Sequence, residues 1–223
     1  MSGSQGRNGP GRMRGMTTWT VLLAGLVVAC STSGLTATVE PTPSSEPTGP
    51  VPIKVGLVDP GVTYTTTVFE PTLTFHVLTD GWVFFFPDDD DEMAVGKGDV
   101  ELLGGRVSKV VDPTTHQPIE APDDLIGWLD EHPGFEADAP EAATVDGRDA
   151  RSIDIRNPSD TDVDVWAYPT GNARVAADTD ARIWVIPMDG PDLVFTALAT
   201  ADAFDASVEE MATILESLQI TDS

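Results

Sequence analysis

The sequence predicts an α+β domain, in which one antiparallel β-sheet carries two main helices, preceded by a signal peptide and a disordered linker. Three observations lead there. Between residues 62 and 200, short runs of Val, Ile, Thr and aromatic residues recur between turn residues, as strands do. Phe204, Val208, Met211, Leu215 and Leu218 recur at steps of four, three, four and three, the spacing of one helix face. The first fifty or so residues show neither pattern. We therefore divide the chain into a signal peptide (1–29), a Ser/Thr/Pro-rich linker headed by Cys30 (30–52) and a single globular domain (53–223).

Arg7, Arg12 and Arg14 lie in an opening stretch without acids, and the apolar run 21–29 follows. A charged segment followed by a short apolar one is the layout of an export signal. Nine helical residues span about 14 Å, whereas a bilayer core takes about 20 residues. The run ends Val27-Val28-Ala29-Cys30, which resembles the lipobox of bacterial lipoproteins. That resemblance implies cleavage after Ala29 and diacylglycerol on the Cys30 sulfur. The partner it implies is a membrane, reached through the N-terminal lipid at its extracytoplasmic face. Cys30 is the sole cysteine, so no intramolecular disulfide is available to explain it. Two alternatives are an incidental cysteine inside an ordinary secretory signal, and an uncleaved run acting as a marginal anchor.

From Ser31 to Pro52 the chain is mainly Ser, Thr, Pro and Gly. Such a segment buries too little apolar surface to offset its ordering entropy. Proline keeps it extended, with a reach of at most about 70 Å, so we read it as a semi-stiff tether.

In the domain, strands are expected at Val62–Phe69, Leu73–Leu78 and Trp82–Phe86. Val100–Leu103 and Arg106–Val111 flank Gly104-Gly105, a hairpin signal. A short helix is expected within 121–133: Pro122 suits the first position, Asp123 and Asp124 the positive end, and Pro133 stops it. Ala142–Val145 and Ala150–Ile155 bracket Asp146-Gly147, Val163–Tyr168 follows, and Arg182–Pro187 and Leu193–Thr200 bracket Asp189-Gly190. In the closing helix, Ser207 and Glu210 have capping-box spacing.

The segment from Asp189-Gly190 through Leu193–Ala199, Phe204 and 214–218 looks like the C-terminal half of PsbP/Mog1-like domains. Residues 121–135 followed by 144–155 are similar to actinobacterial lipoproteins. These resemblances imply an α/β/α sandwich with an accessory or binding role, and no catalytic residues.

The formal net charge is −25; losing residues 1–29 removes three of the 12 basic residues and no acid, leaving nine against 37 acids, or −28. That charge repels phosphate backbones and anionic head groups, which argues against nucleic acid as a partner. It suits a cation, a basic partner or simply a solvated surface.

Asp88, Asp89, Asp90, Asp91 and Glu92 are weak candidates for Ca²⁺, since consecutive residues point in different directions and the alternating loop with a distal Glu is missing. The acids then read as a solvated loop guarding the strand before it. Asp160, Asp162 and Asp164 alternate but lack the loop's glycine and final Glu. His76, His116 and His132 have no ligand-spaced neighbours; His132, at a helix C-terminus, suits an imidazolium facing the dipole. Gly96-Lys97-Gly98 lacks phosphate-loop spacing, and no nucleophile motif is present. Core packing is the default for Trp82, Trp128, Trp166 and Trp184, with Trp128 a candidate for lining a pocket between helix and sheet. No cofactor is expected. The expected role is non-enzymatic: a binding or accessory module of the cell envelope, recruiting an envelope protein or carrying a small ligand. Two alternatives are an envelope hydrolase with dispersed carboxylates, one of raised pKa, and a Ca²⁺-binding structural protein.

Overall fold

The computed structural model describes residues 49–85 and 92–222. The chain opens with β1 (Val51–Pro52), β2 (Gly56–Leu57), β3 (Thr63–Thr65), β4 (Thr72–His76) and β5 (Val83–Phe84). Then come β6 (Glu92–Lys97), β7 (Val100–Val107), β8 (Lys109–Val111), β9 (Pro118–Glu120) and α1 (Leu125–Asp130). After α1 lie β10 (Glu136–Ala137), β11 (Glu141–Val145), β12 (Arg148–Arg156), β13 (Val163–Tyr168) and β14 (Gly171–Val175). The chain closes with β15 (Thr179–Ile186), β16 (Asp192–Thr200), α2 (Phe204–Glu216) and β17 (Gln219–Thr221).

The described residues are thus mostly β-sheet with two helices. The expected single sheet is three. A nine-stranded central sheet runs β10-β12-β15-β16-β7-β6-β5-β2, with β11 also on β12. Its strand pairs are all antiparallel. Two four-stranded sheets flank it, β1-β3-β4-β17 and β14-β13-β8-β9. In the first, β1 pairs with β3 in parallel, so Val51 and Pro52, within the stretch read as linker, belong to a strand.

Strand β16 explains the arrangement. Phe195, Ala197 and Ala199 join one core with Phe204, Val208, Met211, Ile214 and Leu215 of α2 and with Leu73 and Phe75 of β4. Val194 and Leu198 join a second core with Leu125, Ile126 and Leu129 of α1 and with Val110, Val165, Trp166 and Val175. A strand covered on both faces must be apolar at nearly every position, as Leu193–Ala199 is. Each helix shares its core with strands of a small sheet, so the layers beside the central sheet are mixed helix and strand.

Gly104-Gly105 is not a turn. β7 runs straight through both glycines, pairing with β6 on one side and β16 on the other. A Cβ on Gly104 would lie 2.8 Å from the Phe195 ring, and one on Gly105 2.2 Å from the Tyr168 hydroxyl. Aromatic side chains approach this part of the strand so closely that a Cβ has no room. The hairpin turn is the β6–β7 connection at Gly98-Asp99, where Gly98 has φ 64°.

The remaining differences have local causes. Helix α1 starts later than expected because Asp124, not Pro122, marks its entry: its carboxylate accepts the Gly127 N–H at 2.9 Å. The capping box at Ser207 and Glu210 does not form. Ala203 precedes the first turn without a side-chain bond, and Ser207 is buried inside the helix. The first expected strand shrinks to Thr63–Thr65, and the third to Val83–Phe84, with Phe86 outside the described residues. Asp146 and Gly147 adopt φ 50° and 71°, the two left-handed residues of the predicted hairpin turn between β11 and β12.

Gly104→Ala forces a methyl into the Phe195 ring in a closed core and is expected to cost about 1–3 kcal/mol. Urea unfolding followed by near-UV circular dichroism measures this, and an unchanged midpoint contradicts the packing role.

Candidate functional site

Helix α1 ends in a tight turn at Pro133-Gly134 that folds His132 inward. His132 is 4% exposed. Its ring stacks on Phe135 at 4.6 Å and meets Trp128 edge-on at 4.9 Å. Trp128 continues to Trp166 at 6.1 Å, and the Trp166 indole N–H donates to Thr196 Oγ1 at 3.3 Å. Trp128, half-buried, is therefore the middle of an aromatic row between α1 and the central sheet.

The charge expected on His132 is not what the site favours. Nδ1 accepts the Gly134 N–H at 3.2 Å, so the neutral ring carries its hydrogen on Nε2. Nε2 is buried without a hydrogen-bond partner. Burial pushes the imidazole pKa below its ordinary 6.5. The helix-end dipole does not outweigh the loss of water.

Beside this row lies an open hollow of about 340 Å³, whose walls include His116, His132, Thr161, Asp162 and Asp164. Two histidines far apart in sequence thus meet at one hollow. Its acids are already engaged. Asp162 accepts the Ala177 N–H at 3.2 Å and pairs with Arg174 at 3.4 Å; Asp164 lies 3.9 Å from Arg174 and accepts from Asn172 at 3.1 Å. Asp160 lies in the exposed bend before β13. His76 is in β4, its backbone N–H bonded to Ser217 Oγ at 3.1 Å. Among the described residues, no three His, Cys, Asp or Glu side chains come together as a metal site. Glu92, the first residue of β6, accepts from Thr170 at 2.9 Å. Ala29, Cys30 and Asp88 to Asp91 lie outside the described residues.

A second hollow, about 630 Å³, is bordered by Glu70, Arg106, Arg148, Met188, Asp189 and Asp222. Arg106 donates to the backbone carbonyls of Pro191 (2.8 Å), Asp189 (3.2 Å) and Glu70 (3.4 Å), clamping the β15–β16 turn. Arg148 pairs with Asp222 at 2.8 Å. A third hollow, about 310 Å³, contains Glu136, Asp138, Asp154, Asp180 and Asp205 in its walls. Arg156 grips Asp180 through two hydrogen bonds of 2.9 and 3.2 Å, and Arg182 grips Asp154 through two of 2.6 Å. The carboxylates hold both guanidinium pKa values above their ordinary range.

One constellation was not legible in the sequence. Glu210 of α2 accepts from Thr79 Oγ1, from the Trp82 indole at 3.1 Å and from Lys97 at 3.0 Å. Lys97 also lies 6.0 Å from the Trp82 ring centre. The Gly96-Lys97-Gly98 lysine thus ties the β6–β7 end of the sheet to α2. Burial pushes the Glu210 carboxyl up, and the bonds from Thr79, Lys97 and Trp82 more than reverse it, leaving it below the ordinary range.

No family model and no curated protein sequence matches the chain. Among solved structures, the chain is similar to the cyanobacterial PsbP protein CyanoP of Synechocystis sp. PCC 6803. That match has 14% identity and a TM-score of 0.43, and covers 81% of this chain and 99% of the other. It is also similar to LpqN of Mycobacterium tuberculosis, described as involved in cell envelope biogenesis. There the identity is 19% and the TM-score 0.30, with 78% of this chain and 90% of the other covered.

Because the His132 pKa is depressed in the fold, the unfolded chain takes up the proton first as pH falls. Stability is therefore full above pH 6.5 and declines as pH drops through the folded-state pKa. Urea midpoints between pH 7.5 and 5 are expected to fall for the native protein. His132→Phe, which removes the unpartnered N–H and keeps an aromatic ring, is expected to flatten that part of the profile. An identical slope in the variant rules out His132 as its source.

Proposed function

We propose that this protein is a lipid-anchored extracytoplasmic lipoprotein whose domain is a non-enzymatic binding or accessory module of the cell envelope. One observation carries the address: the chain's sole cysteine stands at position 30, directly after a charged segment and a short apolar run and before a Pro/Ser/Thr tether. An acylated Cys30 with two buried chains, each methylene contributing about 0.8 kcal/mol, holds a polar domain at a bilayer without a spanning segment. Among the described residues, no helix is long and apolar enough to cross a membrane.

The binding role draws its support from how the domain's ionisable groups are used. Arg106 holds backbone carbonyls, and Arg148, Arg156, Arg174 and Arg182 hold carboxylates. Groups tied in this way shape a surface and are poorly disposed to move protons in a reaction. The hollows they line are open and polar, suited to recognition at the surface.

The address is tested by expressing the full chain and its Cys30→Ser variant in a bacterial host fed an alkyne fatty acid. The parent is expected to label and to sediment with membranes. The variant is expected to lose the label and to shift several-fold towards the soluble fraction. A parent of unmodified mass that keeps its first methionine overturns the anchor, as does a variant sedimenting like the parent.

A further inference from the structure

One row of paired residues crosses the central sheet from a core to an exposed edge. It runs Ile155, Ala181, Leu198, Glu101, Gly96, Val83, Leu57, each directly opposite the next. Directly paired residues point to the same face of a sheet. Ile155, Ala181 and Leu198 lie in the core beneath α1. Glu101 is half-buried and Gly96 buried, and exposure rises towards the edge. Val83 is half-buried, and Leu57, on the edge strand, is 79% exposed. Phe85, 42% exposed, lays its ring over Gly96: a Cβ there would sit 2.4 Å from Cε2 of that ring. Val55, beside Gly56 on the same edge, is 60% exposed.

The strip also carries an acid. Glu101 stands at its inner end, and among the described residues no Lys or Arg pairs with it. The nearest lysine in sequence, Lys97, reaches the opposite face and is held by Glu210. Burial, and then the charge of Glu92, raises the Glu101 pKa.

We propose that the β2-β5-β6 end of the central sheet, where Leu57, Val55 and Phe85 are exposed, docks a cationic amphipathic segment of another protein, with apolar side chains on Leu57, Val83 and Phe85 and a Lys or Arg on Glu101. This deepens the binding-module reading and rests on it, but not on the lipid anchor. Charge complementarity selects the occupant. A domain (53–223) with nine basic and 35 acidic residues, net charge −26, attracts basic chains and repels both its own copies and anionic lipid. The apolar strip then adds the short-range contact that steering alone does not supply.

The probe is a synthetic 14-residue amphipathic peptide of Leu and Lys, titrated at 0.15 M salt into the full chain carrying Cys30→Ser, with binding followed by calorimetry. We expect Leu57→Ser/Phe85→Ser to weaken binding at least tenfold and Glu101→Gln several-fold. Asp138→Asn, in the acidic hollow at the far end of the sheet, is expected to change it less than twofold. Leu57 and Phe85 are exposed enough that the fold should survive, which far-UV circular dichroism checks. Equal affinity for the parent and the Leu57/Phe85 variant overturns the site, leaving only diffuse charge attraction. Leu57-dependent binding to phosphatidylcholine vesicles, or Leu57-dependent dimerisation in sedimentation, also overturns it by naming a bilayer or a second copy as the occupant. All arms use unlipidated protein, so their outcome is independent of the anchor.

Discussion

A central sheet that must bury both faces organises the rest of this structure. β15 and β16 lie in its middle, and each sends alternate side chains into a different core. Covering both faces of a nine-stranded sheet takes more surface than two helices of six and 13 residues provide. The flanking sheets complete the cover. α2 packs with β4, whose partner β17 is formed by the residues that follow the helix, so the chain's last strand closes the layer its last helix begins. On the other side α1 shares its core with β8, β13 and β14.

Electrostatics shapes this domain by local neutralisation against an unfavourable total. With few cations available, most are spent where strands need fixing: Arg182 and Arg156 across the β12–β15 pair, Arg174 across the β13–β14 hairpin, and Lys97 between sheet and α2. Exposed pairs of this kind are each worth about 0–1 kcal/mol. Their value here is in placing charges, since every arginine so used cancels one acid of a surface that otherwise repels itself.

Much of the fold was legible where one residue's neighbours in sequence are also its neighbours in space. The Asp146-Gly147 turn needs two left-handed residues in a row, and both are local requirements. The stripe on α2 and the strand Val163–Tyr168 were likewise readable. Gly104-Gly105 misled because glycine marks both a turn and a site where another group comes close; only Phe195 and Tyr168, dozens of residues away, distinguish them. β6, β14 and β17 carry polar or small residues that signal little alone and become strands through their partners. His132 was placed correctly at a helix end, yet its protonation state depends on Trp128 and Phe135 closing over it.

By itself, the sequence determined a strongly acidic composition, one cysteine placed after a charged segment and a short apolar run, and a series of strands ending in an amphipathic helix. These follow from composition and short-period spacing, which act over a few residues. Only the tertiary structure decided that the strands divide among three sheets, that Glu210 meets Trp82 and Lys97, and that the row from Ile155 to Leu57 runs from a core to an exposed edge. Those outcomes depend on which distant segments share a face. Burial and charge pairing set them, and neither quantity exists until the chain has closed.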